Sequence, residues 1–285
     1  MVRSQYVLEP LRRDEEFVLY RGECSNQAGS PFVLLLAPGS TRPALETLKK
    51  LEHEYSLRDE LDSTFAVRPL ALTQQQGQMT LVLEDPGGET LDGILSGPLE
   101  ITRFLRLAIG IAAALSRVHT RELIHKDVKP ANVLVDAATG QVRLMGFGMT
   151  TRLPRERQAP APPEFIAGTL PYMAPEQTGR MNRSIDSRSD LYALGATLYE
   201  MLTGTLPFSA TDPMELVHSH IARQPVPPGD RLPGVPLDDA EHGAARLVGG
   251  QGAGRRRYRR LAGLGVVAGR EGHGFISTRW TRGTC

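Results

Sequence analysis

Apolar positions in the first third of the chain recur in short runs with strand-like spacing. Tyr6-Val7-Leu8 and Phe17-Val18-Leu19-Tyr20 predict two strands joined across Leu11 to Glu16. Phe32 to Leu36 predicts a third, bounded by Gly29-Ser30-Pro31 and Pro38-Gly39. The period then changes. Leu45, Leu48, Leu51 and Tyr55 lie at helical spacing behind Pro43, which predicts a helix running to about Leu61. Phe65 to Leu72 and Met79 to Leu83 return to strand character, with a turn at Gln76-Gly77-Gln78 and a connector, Glu84-Asp85-Pro86-Gly87-Gly88, after them.

Beyond the connector, helical spacing dominates. Thr90 to Ser96 and Leu99 to His119 predict helices, the second apolar on much of its surface and rich in Ala112, Ala113 and Ala114 where close helix packing is expected. Val133 to Val135 and Val142 to Leu144 predict a short hairpin through Ala138-Thr139-Gly140. Asp190 to Gly204 is a strongly apolar helix ending on a glycine C-cap, and Asp212 to Arg223 is one more. From Leu237 onward no period survives, and the last 48 residues hold eleven glycines and nine arginines. This tail is expected to be disordered or out-of-frame sequence that adds no helices to the fold. Without such helices, part of Leu194, Leu198 and Met201 is expected to be exposed.

Composition changes this picture little. With 40% apolar and 23% charged residues in 285, the chain has ordinary globular usage. The net charge of +1 hides an asymmetry, because residues 238–285 carry nine arginines against four acids, a net +5 that leaves the rest at −4. The run Arg255 to Arg260 belongs to that Gly/Arg-rich composition, and no nucleic-acid partner is expected from it. Cys24 and Cys285 lie near opposite ends without metal-ligand neighbours, which fits a reducing, cytoplasmic setting. No apolar leader precedes Phe17, and the mostly apolar stretch Leu105 to Leu115 is too short to span a bilayer.

The chemistry concentrates in one loop. Between the apolar runs Leu123-Ile124 and Val133-Leu134-Val135, the segment His125-Lys126-Asp127-Val128-Lys129-Pro130-Ala131-Asn132 packs an acid, a lysine and an amide into six residues. A hydroxyl attacking phosphorus needs a carboxylate beside it, a cation near the moving phosphoryl group and a metal-directed amide oxygen. Asp127, Lys129 and Asn132 fit those roles in that order.

The loop resembles the catalytic loop of protein kinases, H-R-D-x-x-x-x-N, with Lys126 at the arginine's place. Gly168-Thr169-Leu170-Pro171-Tyr172-Met173-Ala174-Pro175-Glu176 resembles the kinase segment ending in A-P-E, and Asp190 to Gly204 the central helix of the large lobe. The resemblance covers about residues 6–236. It implies an α+β, two-lobed protein-kinase-like fold, with a mainly β small lobe (1–84), a mainly α large lobe (89–236), a C-terminal side that is incomplete, and the tail 237–285 outside it. The implied catalytic set is Asp127, Lys129, Asn132 and Thr169, with the Thr169 hydroxyl bonded to Asp127 and Lys129 and with Asp190 tying down the loop backbone. Glu54, Glu84 and Asp85 fall on the nucleotide side, and Asn132 is the residue directed at a metal.

Several positions depart from the kinase pattern. The first hairpin turns through Arg12-Arg13-Asp14-Glu15-Glu16 and has no glycine to close over phosphates. Leu36 stands where the third strand would carry a lysine to pair with Glu54, so Glu54 is expected to be a solvated helix charge. Gly146-Phe147-Gly148 replaces D-F-G and offers a metal no carboxylate. Pro86 has no N–H for adenine. ATP and Mg²⁺ are therefore expected to bind weakly or not at all.

Gly179 to Asp190 is similar to the kinase-like domain that opens multidomain bacterial signalling proteins, where ATPase and sensor histidine kinase modules follow. Two functions stay open at this point. One is a pseudokinase that binds or regulates a protein partner. The other is a Ser/Thr protein kinase that transfers the ATP γ-phosphate to a protein hydroxyl, with Asp127 as base.

Overall fold

The computed structural model describes residues 6–24, 32–75, 77–136, 138–152, 169–180 and 184–232. The proposed tail and residues 153–168 of the segment before Thr169 lie outside them.

Strands β1 (Tyr6–Arg13), β2 (Phe17–Cys24) and β3 (Val33–Pro38) are followed by helix α1 (Leu45–Ser56) and then by β4 (Pro69–Gln75) and β5 (Gln78–Glu84). They form an antiparallel five-stranded sheet in the order β1-β2-β3-β5-β4, with α1 against it. The first two strands run further into the hairpin than their apolar residues predict, because the turn is made by a side chain. Asp14 Oδ1 accepts from the N–H groups of Glu16 and Phe17, at 2.9 and 2.7 Å, while Asp14 N donates to Phe17 O. The helix is shorter than predicted, stopping at Ser56. Leu57 and Leu61 still pack into the core from the turns that follow.

The second lobe begins with β6 (Glu89–Thr90) and α2 (Leu91–Ile94), a single turn where a longer helix is predicted. Helix α3 (Ile101–Thr120) follows, capped by the Glu100 carboxylate, which accepts from Thr102 and Arg103 N–H. Its buried residues Phe104, Leu107, Ile111, Leu115 and Val118 recur at helical spacing, each contributing about 1.5–3 kcal/mol by burial. After α3 come β7 (Leu123–Ile124), β8 (Val133–Val135), β9 (Val142–Leu144) and β10 (Thr151–Arg152). They pair as two small sheets, β6-β8-β9 and β10-β7. Helix α4 (Ser187–Thr203) starts on an Asp186 cap and stops at Gly204, whose φ of 71° is the left-handed conformation that glycine adopts at low cost. Helices α5 (Pro213–Ala222) and α6 (Pro228–Arg231) complete the described chain. The two-lobed α+β arrangement is the expected one.

One expectation fails. Leu194, Leu198 and Met201 are buried, not exposed, because they join α3 in the large-lobe core. Leu99 and Leu232 also pack onto that cluster.

The lobes meet through apolar contact. Leu134 and Met145 of the large lobe belong to the small-lobe core with Leu19, Leu34, Leu36 and Leu83. The connector is held close to β8, since a Cβ on Gly88, at φ 91°, would lie 2.1 Å from Val135 O.

Candidate active site

The loop between β7 and β8 is shaped from below by Asp190, the fully buried acid in the first turn of α4. Its carboxylate accepts from His125 N (2.8 Å) and Lys126 N (2.7 Å) and contacts His119 Nε2 (2.7 Å). This holds Lys126 at φ 71°, a conformation few side-chain-bearing residues adopt unless their surroundings impose it. Burial alone would raise the Asp190 carboxyl, but His119 and the Lys126 N–H keep it below its ordinary value.

His125 is the second support. Asp127 N donates to its Nδ1 (3.3 Å), so Nε2 carries the proton and donates to Met145 O (3.0 Å). Both ring nitrogens are thereby used by a neutral imidazole, and burial lowers its basicity. Gln177 adds a third tie from the segment that follows Thr169, residues 170–178, a platform beside the loop; its Nε2 donates to Lys126 O at 2.8 Å.

On this scaffold the four expected catalytic residues converge. Lys129 Nζ lies 2.8 Å from Asp127 Oδ2 and 2.5 Å from Thr169 Oγ1, and Thr169 Oγ1 donates to Asp127 Oδ1 at 3.0 Å. Asn132 Nδ2 donates to both Asp127 O (2.8 Å) and Asp127 Oδ2 (2.9 Å). Burial works to raise the Asp127 carboxyl, yet Lys129 and the Thr169 hydroxyl hold it below the usual carboxylate range. An ionised carboxylate oriented this way can accept a proton from an entering hydroxyl.

The platform itself is anchored on α4. Tyr172 OH donates to Glu200 Oε2 at 2.5 Å. Glu176, for which no arginine partner is evident in the sequence, accepts from Ser189 Oγ at 2.6 Å.

These groups open onto a cavity of about 530 Å³ lined by the first hairpin, α1, the Gly146-Phe147-Gly148 segment, the platform and α5. Glu54 and Leu36 both line it. Glu54 is 2% exposed, so it is not the solvated helix charge expected from the sequence. The reason is that α1 packs directly on the Phe147–Met149 turn. Burial pushes its carboxyl up to about 7, while the N–H groups of Phe147, Gly146 and Gly148 and the Arg12 guanidinium act the other way. Oε1 has no hydrogen-bond partner. The β3 residue that lines the same cavity is Leu36, which offers no cation.

Glu84 and Asp85 do not line this cavity. Glu84 accepts from Ser63 Oγ at 2.6 Å, on another side of the connector. Asp85 is clamped by Arg21 of β2, Nε to Oδ2 at 2.6 Å and Nη2 to Oδ1 at 3.2 Å, and Arg21 also donates to Gly88 O. Two of the connector's N–H groups are engaged too, Glu84 N by Arg68 O and Gly87 N by Asp85 Oδ1.

The donor set is a poor match for a divalent ion. Mg²⁺ takes one or two carboxylates beside phosphate oxygens. Gly146, at φ 77°, supplies none, and a Cβ there would lie 2.7 Å from Asn132 Oδ1. The Asp127 carboxylate is engaged by Lys129, Thr169 and Asn132, and Asn132 Oδ1 faces Arg12 Nη1 at 3.4 Å. As arranged, these residues do not fit the ion. Among the described residues no group of three or more His, Cys, Asp or Glu is placed to hold a metal.

Arg12 is the residue in this site that sequence reasoning underrated. It reads as one charge in a polar turn, and only the fold shows that it crosses to the catalytic loop. His125, His119 and Gln177 were also missed as supports, and the only signal for them is the position of His125 at the head of the loop.

Residues 39–230 match the protein kinase domain family. The chain belongs to that family. It is 35% identical over 160 residues to the serine/threonine-protein kinase PknB of Mycobacterium tuberculosis, covering 55% of this chain and 25% of that protein. Against the serine/threonine-protein kinase pkn3 of Myxococcus xanthus the identity is 31% over 202 residues, 68% of this chain and 37% of the relative. The chain thus spans between about a quarter and two fifths of the length of these relatives. Among the described residues no helix is long and apolar enough to cross a membrane.

Proposed function

We propose that this domain is a pseudokinase, a protein-kinase-like module with a degraded nucleotide site that binds or regulates a protein partner in bacterial signalling. The observation carrying this reading is a pair of replacements that line the same cavity. Leu36 lines the same cavity as the buried Glu54, whose Oε1 has no hydrogen-bond partner, and a Cβ at Gly146 would collide with the Asn132 side chain. Both act on groups that would balance phosphate charge, and losing one such interaction costs about 3–4 kcal/mol of transition-state stabilisation in other enzymes. A cytoplasmic protein partner, and association with ATPase and sensor histidine kinase modules, belong to the same reading.

A second reading has its own support. The Asp127–Lys129–Thr169 triangle suits a Ser/Thr protein kinase in which Asp127 accepts the substrate hydroxyl proton and Lys129 balances the transferred charge. Phosphoryl transfer from γ-labelled ATP to a generic basic protein, compared with Asp127→Asn, separates the two. The pseudokinase reading expects equal background from both proteins. Incorporation by the wild-type chain that Asp127→Asn abolishes would establish the second reading instead.

A further inference from the structure

Arg12 leaves the last turn of β1 and crosses from the small lobe to the catalytic loop. Its Nη1 donates to Ala131 O and approaches Asn132 Oδ1 at 3.4 Å, while Nη2 pairs with Asp14 Oδ2 at 3.1 Å. The side chain is only 9% exposed, and its Nε is buried without an acceptor. An arginine does not desolvate its guanidinium in that way at the tip of a polar hairpin unless the far end is held. The groups holding it form a cation site: a main-chain carbonyl, an amide oxygen, the Asp14 carboxylate, and Glu54 near enough to act on it electrostatically. The two other cations lining the cavity are committed elsewhere, Lys50 to Glu16 and Lys129 to Asp127.

We propose that Arg12 is the resident cation of this cleft, a built-in latch whose guanidinium fills the oxygen site at Ala131 and Asn132 and closes the first hairpin over the catalytic loop. The site is then blocked to a metal–nucleotide complex by the chain itself. This inference rests on the reading of the cleft as degraded, but it concerns what occupies the cleft rather than whether transfer occurs. The unsatisfied Nε makes the latch releasable, since whatever draws the guanidinium away also relieves a buried donor.

The test compares the full chain with Arg12→Ala and Arg12→Lys by amide hydrogen exchange, using the α4 amides as an internal reference for global stability. Removing the guanidinium is expected to speed exchange in both Tyr6–Cys24 and the loop His125–Val135 by roughly tenfold or more, the factor set by a charge-assisted contact. Arg12→Lys should fall between the two. Arg12→Ala should also acquire a thermal stabilisation by Mn²⁺, added alone as probe, that the wild-type chain lacks. Unchanged exchange in Arg12→Ala would overturn the latch. Faster exchange without any Mn²⁺ response would overturn the assignment of a cation site. Phosphoryl transfer by the wild-type chain would sink the pseudokinase reading and leave these outcomes as they stand.

Discussion

At the catalytic-loop end of the cleft, Asp127, Lys129, Thr169 and Asn132 form a closed set of contacts between 2.5 and 3.0 Å. On the small-lobe side the cavity is lined by Leu36 and Glu54, with Arg12 reaching across to the loop, beside a glycine with no carboxylate to offer. The two ends are supported differently. The loop is built into the folding energy of the large lobe, through Asp190 beneath it, His125 within it and Gln177 beside it. Glu54 is buried and lacks a hydrogen-bond partner for one oxygen. A loop can therefore keep its form because the fold needs it, and an intact acid–lysine–amide motif is weaker grounds for catalysis than the nucleotide-side residues are.

The comparison breaks most visibly at Asp190. Asp190→Ala removes the acceptor of the His125 and Lys126 N–H groups and the contact with His119, and is expected to destabilise the protein by about 3–5 kcal/mol in urea unfolding. A loss below about 1 kcal/mol would mean that the loop is held by something else.

Glu54 gives an effect of the opposite sign. Its carboxyl moves from an ordinary 4.5 to about 7 on folding, so the folded state holds this proton more tightly. The stability it contributes is complete below pH 4.5 and is lost as pH rises through about 7, roughly 3 kcal/mol in all. Glu54→Gln should flatten that fall and make the variant the more stable protein at mildly alkaline pH. Parallel pH profiles would show instead that Glu54 is charged and paired.

Gly146→Ala should cost about 1–3 kcal/mol, because φ is 77° and the new Cβ meets the Asn132 amide at 2.7 Å. Restoring an acid at this position therefore requires Asn132 to move first. The smallest effect is expected at Thr169→Val, about 1 kcal/mol, since Lys129 and Asp127 keep each other when the hydroxyl is removed.

Much of this was legible from residue order. The loop acid, lysine and amide are close in sequence, and local spacing fixes their geometry once both flanking strands are apolar. Thr169 and Asp190 were legible through resemblance, because each lies in its own spaced motif. Glu54 was misjudged: a glutamate on a helix without its lysine looks solvated, and its burial depends on α1 packing against a segment more than ninety residues later, around Phe147. Arg12 was illegible for a similar reason, since it lies 119 positions before Ala131. The burial of Leu194, Leu198 and Met201 was missed because α3 covers them.

The central claim is that the nucleotide end lacks the charges that a metal–nucleotide complex needs. Thermal unfolding of the wild-type chain, titrated with ATP in the presence and absence of Mg²⁺, tests it most directly. The account predicts a small or absent shift that is the same in both series, whereas a stabilisation of several degrees that requires Mg²⁺ would contradict it.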